Sequence, residues 1–182
     1  LPTLVRNMGL SSTAAAMTVS AATGALALCV VPASILSERF GRGRILLISA
    51  VAATGVGLIV PLAQEGWQLI VVRGLQGALL SGAPATAMAW LSEELDDKAL
   101  PRAMGLYIAG TSVGGLTGRL IPTGLVEIST WRWALFGSAL VSLAFAITSW
   151  LLLPTQRNFR PKSIHLKTES RALLGHWANR DL

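Results

Sequence analysis

The sequence predicts an all-α, polytopic membrane bundle built from five crossing helices. Three observations carry that reading. First, 52% of the 182 residues are hydrophobic and only 13% are charged, about half the charge of an ordinary soluble domain. Second, charged side chains vanish over long stretches: none between Arg6 and Glu38, none from Ile45 to Gln64, none from Trp133 to Gln156. Third, such stretches match the roughly 20 residues a helix needs to cross a ~30 Å hydrocarbon layer. Backbone groups in lipid are satisfied only in helices and closed barrels. These runs are too long for barrel strands and do not alternate. The composition also excludes disorder, which needs low hydrophobicity and high charge. Five apolar runs in a row would leave a soluble core nothing polar to cover it.

In chain order the spans are 13–36, 44–64, 67–91, 102–124 and 132–153. Arg73 interrupts the third and Arg119 the fourth. The connections, 37–43, 64–66, 92–101 and 125–131, are short, so consecutive spans are expected to be antiparallel neighbours. The chain opens at Leu1-Pro2-Thr3 with no initiator methionine and no basic region ahead of its first span. A secretory signal peptide is therefore not expected, and a piece of a longer polypeptide is. Residues 1–153 form the predicted bundle and 154–182 a separate cytoplasmic segment.

Charge placement orients the spans. Arg39, Arg42, Arg44, Lys98, Arg102, Arg157, Arg160, Lys162, Lys167, Arg171 and Arg180 fall on one side; Arg6 and Arg132 fall on the other. The positive-inside rule puts the first group in the cytoplasm. Trp67, Trp131 and Trp133 mark one interface, Trp90 and Trp150 the other, as amphipathic rings prefer. The net charge of +6 is thus a matter of orientation, and no nucleic-acid partner is expected. Past Pro154 the chain turns polar and basic. From about Ile164 to Asn179, Leu166, Leu173, Leu174 and Trp177 can share one helical face, which reads as an amphipathic helix on the inner membrane surface. A partner-binding helix is the other reading.

Other chemistries lack their residues. Cys29 is the only cysteine, and His165 and His176 are the only histidines, so no disulfide, metal site or cofactor is expected. An intramembrane enzyme would need paired aspartates, a Ser/His set or metal-binding histidines at depth, and none is present. A non-transporting scaffold or small homo-oligomeric membrane protein remains the alternative to a carrier.

Three groups of residues hold more information than anchoring requires. The turn Ser34 to Arg44, SILSERFGRGR, sets Glu38, Arg39, Gly41, Arg42 and Arg44 at one membrane edge. Its carboxylate and guanidinium groups can build a network between helices. The third span holds Arg73, Gln76 and Gly77 within about one helical turn. A buried arginine is costly unless it faces a cavity or partner, so two placements stay open: the central cavity, or snorkelling to the outer interface. The fourth span repeats glycine at Gly110, Gly114 and Gly118, with Gly115 adjoining. That leaves a smooth stripe where another helix can approach. Arg119 follows it, either snorkelling or lining the outer vestibule.

These three groups, in order, resemble the signatures of the major facilitator superfamily (MFS). Its motif Gly-x-x-x-Asp-Arg-x-Gly-Arg-Arg/Lys is similar to Ser34-x-x-x-Glu38-Arg39-x-Gly41-Arg42, with Arg44 supplying the last base one place late. Arg73 to Gly77 is similar to the family's Arg-x-x-x-Gly in the fourth helix, with Gln76 before the glycine. The stripe resembles the antiporter motif Gly-x-x-x-Gly-Pro-x-x-Gly-Gly, with Gly115 in place of proline and Arg119 in place of the final glycine. The resemblance covers essentially the entire chain, and bacterial inner-membrane arabinose or drug efflux proteins are the group it most resembles.

The resemblance implies that the spans are helices two to six of a twelve-helix secondary transporter, a fragment of its N-terminal half. It implies proton-coupled export of a small molecule across the bacterial inner membrane. The Glu38–Arg44 turn would be a cytoplasmic gate against the missing C-terminal half. Arg73, Gln76 and Gly77 would serve the cavity and coupling, and the glycine stripe would pack between bundles. No acidic residue lies deep in a span, so a proton-carrying carboxylate would lie on a helix outside this chain.

Overall fold

The computed structural model describes residues 11–156, and among them there is no strand. Six α-helices occur: α1 Ser12–Phe40, α2 Arg42–Gly57, α3 Gly66–Leu80, α4 Gly82–Glu94, α5 Leu100–Ile128 and α6 Trp131–Leu152. A 3₁₀ turn, Val60–Leu62, prolongs α2. They make five rods, one for each predicted span, because α3 and α4 run end to end. Ser81, between them, keeps helical dihedrals of −54° and −31°. Pro84 explains the interruption: it has no N–H to give the carbonyl four residues earlier. The amphipathic helix expected near 164–179 lies outside the described residues, as does the opening segment 1–10.

Three stretches are individually long and apolar enough to cross a membrane: Ser12–Phe40, Arg42–Leu62 and Trp131–Leu152. The third rod reaches that length only as α3 plus α4. α5 has 29 residues, but its glycines and Arg119 lower its apolar content. The helices run further than the sequence suggests. The connection expected over 37–43 shrinks to one residue, Gly41, because α1 carries Glu38 and Arg39 past the apolar core as helix. Gly41 has φ 100°, the only positive φ among the described residues. Its N–H caps α1 at the Ser37 carbonyl, 3.0 Å away, and its own carbonyl accepts from Ile45 at 3.1 Å. One glycine thus ends one helix and starts the next.

Elsewhere the ends are capped from nearby. Ser11 Oγ accepts from the Ala14 N–H at 3.1 Å. Glu65 and Gln68 form a capping box at the start of α3, satisfying N–H groups that a helix start leaves open. Asp96 Oδ1 accepts from the Ala99 N–H at 2.9 Å ahead of α5.

Packing follows membrane rules. Most buried helix residues are small, among them Ala15, Thr18, Ser37, Ala53, Gly57, Gly77, Thr86, Ala87, Ala134 and Ala146, with Leu69 and Trp131 the large exceptions. Large side chains point outward, with Leu28 79%, Leu151 77% and Phe145 71% exposed, as expected where lipid is the solvent. Buried hydroxyls spend their hydrogens within the helix: Thr18 on Ala15, Ser37 on Ser34, Ser81 on Ala78, Thr86 on Gly82. That frees small polar residues to sit between helices without an unmet group.

The α3–α4 rod is the centre of the bundle. α1 lies along it on one side and α2 on another; α6 packs on α2, and α5 touches chiefly α6. The first two spans are not each other's closest partners: α1 packs more on α3 than on α2, whereas α5 and α6 pair as neighbours in sequence. At the end opposite the Gly41 turn, Val60, Ala63 and Leu69 form a small core joined by Val72 and Leu135. Arg132 donates to the Ala63 carbonyl at 3.4 Å and lies over the Trp131 ring. Trp131 is buried at 8% exposure rather than lying as an interfacial ring, whereas Trp67 and Trp133 are exposed.

Candidate functional site

At the arginine-rich end, the one-residue turn at Gly41 aims Arg42 back into the bundle. Arg42 Nε lies 2.5 Å from Glu93 Oε1 at the end of α4, and its Nη2 lies 3.6 Å from Glu38. Its side chain is only 13% exposed. Gln156, just past α6, completes the arrangement. Its Nε2 donates to Glu93 Oε2 at 3.0 Å and its Oε1 accepts from the Gly43 N–H at 3.3 Å. Three separate ends of the bundle are thus clasped around one guanidinium group. The arrangement also places Gln156, just after Pro154, on the same side as the first turn. A Cβ at Gly43 would lie 3.1 Å from the Trp90 indole nitrogen, so the glycine lets α2 start close against α4.

The predicted motif is split by this geometry. Glu38, Gly41 and Arg42 belong to the clasp. Ser34 lies one turn below and offers its carbonyl to Ser37 at 2.6 Å. Arg39 and Arg44 are exposed and face away; Arg39 stacks on Phe40 at 5.5 Å. Sequence reasoning missed Glu93 and Gln156. A signal for Glu93 was present: four of the nine acidic residues, Glu93, Glu94, Asp96 and Asp97, lie together on the arginine-rich side. Counting only Lys and Arg passes over them.

Within the third rod, Arg73 and Gln76 are brought together as expected from their spacing. Arg73 Nη1 donates to Gln76 Oε1 at 3.1 Å, and Gln76 Nε2 donates to the Ala53 carbonyl of α2 at 3.2 Å. The chain Arg73–Gln76–Ala53 ties the third rod to α2. Gly57 makes room for it, since a Cβ there would lie 2.9 Å from Gln76 Nε2. Gly77 is not part of this pair. It faces α1, where a Cβ would come within 2.0 Å of the Ala22 carbonyl oxygen.

The glycine stripe stands apart from both. Gly110, Gly114, Gly115 and Gly118 have nothing within 4 Å of an added Cβ, and Arg119 beside them is exposed. No helix among the described residues covers this face. Nor do the described residues hold any group of three or more His, Cys, Asp or Glu able to bind a metal.

A bundle of apolar helices, packed through small residues and clasped by charge at one end, is a polytopic membrane protein. The Major Facilitator Superfamily model matches residues 1–179, and the chain belongs to that family, one of membrane transporters rather than enzymes. It is 34% identical over 182 residues to the inner membrane transport protein YnfM of Escherichia coli, covering 100% of this chain and 44% of that protein. It is 34% identical over 177 residues to YybF of Bacillus subtilis, an uncharacterized MFS-type transporter, covering 97% and 44%. A gallate transporter of Pseudomonas putida is 27% identical over 158 residues, covering 87% and 35%. The chain spans less than half the length of these curated relatives. Family and apolar helices together make it a multi-pass protein of the bacterial inner membrane.

Proposed function

We propose that the chain is part of a proton-coupled exporter of a small molecule, working with a second bundle that the 182 residues do not contain. The observation that carries this reading is the Arg73–Gln76–Ala53 chain. An arginine at membrane depth is retained against a solvation cost of several kcal/mol, and here its guanidinium group keeps donors beyond the one given to Gln76. Those donors suit an anionic or polar substrate group, or a carboxylate brought by another helix. In this reading Gln76 is a positioning residue, holding Arg73 against α2.

The Arg42–Glu93–Gln156 clasp serves as a latch at the cytoplasmic end, with Glu38 and Gly41 setting its geometry. Two bundles that rock about a midplane site must make and break contacts at such an end. The open glycine stripe on α5, the feature closest to an antiporter motif, is the surface on which the second bundle would slide. Export rather than import rests on that likeness. Residues 1–153 act as the bundle and 154–182 as the connecting cytoplasmic segment.

The test is flux in proteoliposomes holding the full-length protein. Arg73→Ala abolishes substrate flux while membrane insertion and helix content stay unchanged; unaltered flux would remove Arg73 from the coupling path. Reversing the imposed pH gradient reverses net movement if protons are exchanged for substrate. The 182 residues alone give no saturable flux; pH-driven transport by them would overturn the two-bundle reading.

A further inference from the structure

Beside the clasp lie two guanidinium groups that the clasp leaves unused. Arg39 and Arg44 are exposed, and neither forms an ion pair among the described residues. A cavity of about 620 Å³ opens between them, walled by Leu47 and Ile48 of α2 and by Trp150 and Leu153 at the close of α6. Ile48 is 51% and Trp150 47% exposed, so the apolar wall opens sideways, away from the bundle centre. The cavity lies where α1 and α6 end and α2 begins, at the edge of the apolar layer. The start of α2 adds its partial positive charge.

We propose that this cavity binds one anionic phospholipid. Arg39 and Arg44 hold its phosphodiester headgroup, and its acyl chain lies along Ile48 and Trp150. The argument is complementarity: a cationic rim above an apolar, aromatic wall fits an amphiphile that is negative at one end. Free phosphate would use the rim and leave the wall wet. The chain's own segment after Gln156 has six Lys or Arg against two acids, so its net charge does not complement the rim. A second copy would bring its own arginine pair to the same place. With the headgroup bound, the first turn and the end of α6 are bridged on the outer side of the clasp, as Gln156 bridges them on the inner side.

The experiment uses the whole chain in vesicles of phosphatidylglycerol and phosphatidylcholine in equal parts, with a benzophenone amino acid at Ile48. Illumination yields adducts that mass spectrometry sorts by lipid, by intrachain segment or by second copy. The expected product is the phosphatidylglycerol adduct, at least fivefold over phosphatidylcholine. Arg39→Gln with Arg44→Gln lowers it about tenfold, since each basic residue near an anionic surface contributes about a fivefold factor at most. Lys98→Gln with Arg102→Gln removes the same charge elsewhere and leaves it unchanged. Equal labelling of the two lipids, equal loss in the Lys98/Arg102 variant, displacement by inorganic phosphate, or crosslinks to the tail or to a second chain would each overturn the proposal. No readout depends on flux, so failure here is separate from failure of the transport reading.

Discussion

A Cβ added at Gly77 would lie 2.0 Å from the Ala22 carbonyl oxygen, whereas one added at Gly114 would meet nothing within 4 Å. Both glycines lie inside helices of one bundle, but the sequence points to close helix approach only at Gly114 and groups Gly77 with Arg73 and Gln76 at the cavity. On α3 the partner is present: α1 lies against the rod, and its buried face is small, with Ala15 and Thr18. On α5 nothing among the described residues fills the stripe. A glycine pattern thus records that a helix can be approached. Whether it is approached depends on the other face, and the α1–α3 contact has one. The two glycine surfaces differ in energetic role, the first holding the bundle together and the second left uncovered by the described residues.

The sharpest way to break that distinction is Gly77→Ala. The obstructing atom is backbone, so no rotamer change relieves it, and α1 and α3 must part. The expected loss is about 3 kcal/mol, the upper part of the range for overpacking, read as thermal unfolding of the detergent-solubilised chain by circular dichroism. Gly74→Ala is the internal control. Its Cβ would sit 3.9 Å from the Ala21 carbonyl oxygen, an ordinary contact, so its midpoint stays within a few degrees of the parent. Equal losses at the two positions would mean that close approach is not what Gly77 supplies.

Next in size is Gly41→Ala. Here the glycine is needed for its conformation, because φ 100° with ψ 132° is a region that residues with a Cβ avoid. The cost is about 2 kcal/mol of backbone strain. The same substitution loosens the clasp, since Arg42 is aimed by this turn. Trypsin cleavage after Arg42 reports on it: faster cleavage is expected in the variant, and an unchanged rate would show that Arg42 is held without the turn.

The five rods were legible in the sequence because length and apolar content are properties of each segment alone. The expected span 67–91 came out as two helices because Pro84 withholds one hydrogen bond, a local cause visible in the sequence. Pairing was less legible. Residues 73, 76 and 77 lie within one turn, yet at about 100° per residue Gln76 falls about 60° to one side of Arg73 and Gly77 about 40° to the other. An arc of about 100° reaches two neighbours, so Gln76 meets α2 and Gly77 meets α1. Glu93 and Gln156 were hidden for a different reason. They are far from Arg42 in sequence, and which helix ends meet depends on how α4 and α6 pack, which no single segment encodes. Arg39, Arg42 and Arg44 looked equivalent as charges, and only the turn at Gly41 separates them.

That separation is testable at smaller cost. Arg42→Gln removes the cation that Glu38 and Glu93 share, and the expected destabilisation is about 1–2 kcal/mol. Arg44→Gln, two residues on, changes stability by less than about 0.5 kcal/mol. Thermal unfolding of both variants at low and high salt checks the pair. Salt has little effect on the Arg42 contribution because the group is 13% exposed, whereas exposed charges are screened. Matching losses at the two arginines would erase the division between clasp and rim.

The smallest effect belongs to the open stripe. Gly114→Ala should change stability by no more than about 0.5 kcal/mol, and toward stabilisation, because alanine favours helix over glycine by up to about 1 kcal/mol and the added methyl meets no protein atom. The full-length protein gives the sharper result, since there a second bundle is proposed to cover α5. If it does, Gly114→Ala slows flux in proteoliposomes while leaving the isolated chain as stable as before. The contrast with Gly77 is then one of timing: one glycine is occupied whenever the bundle is folded, the other only in the states where the two bundles close. A loss of stability in the isolated chain would instead mean that α5 is already covered, and the stripe would join the α1–α3 contact as a fixed part of the fold.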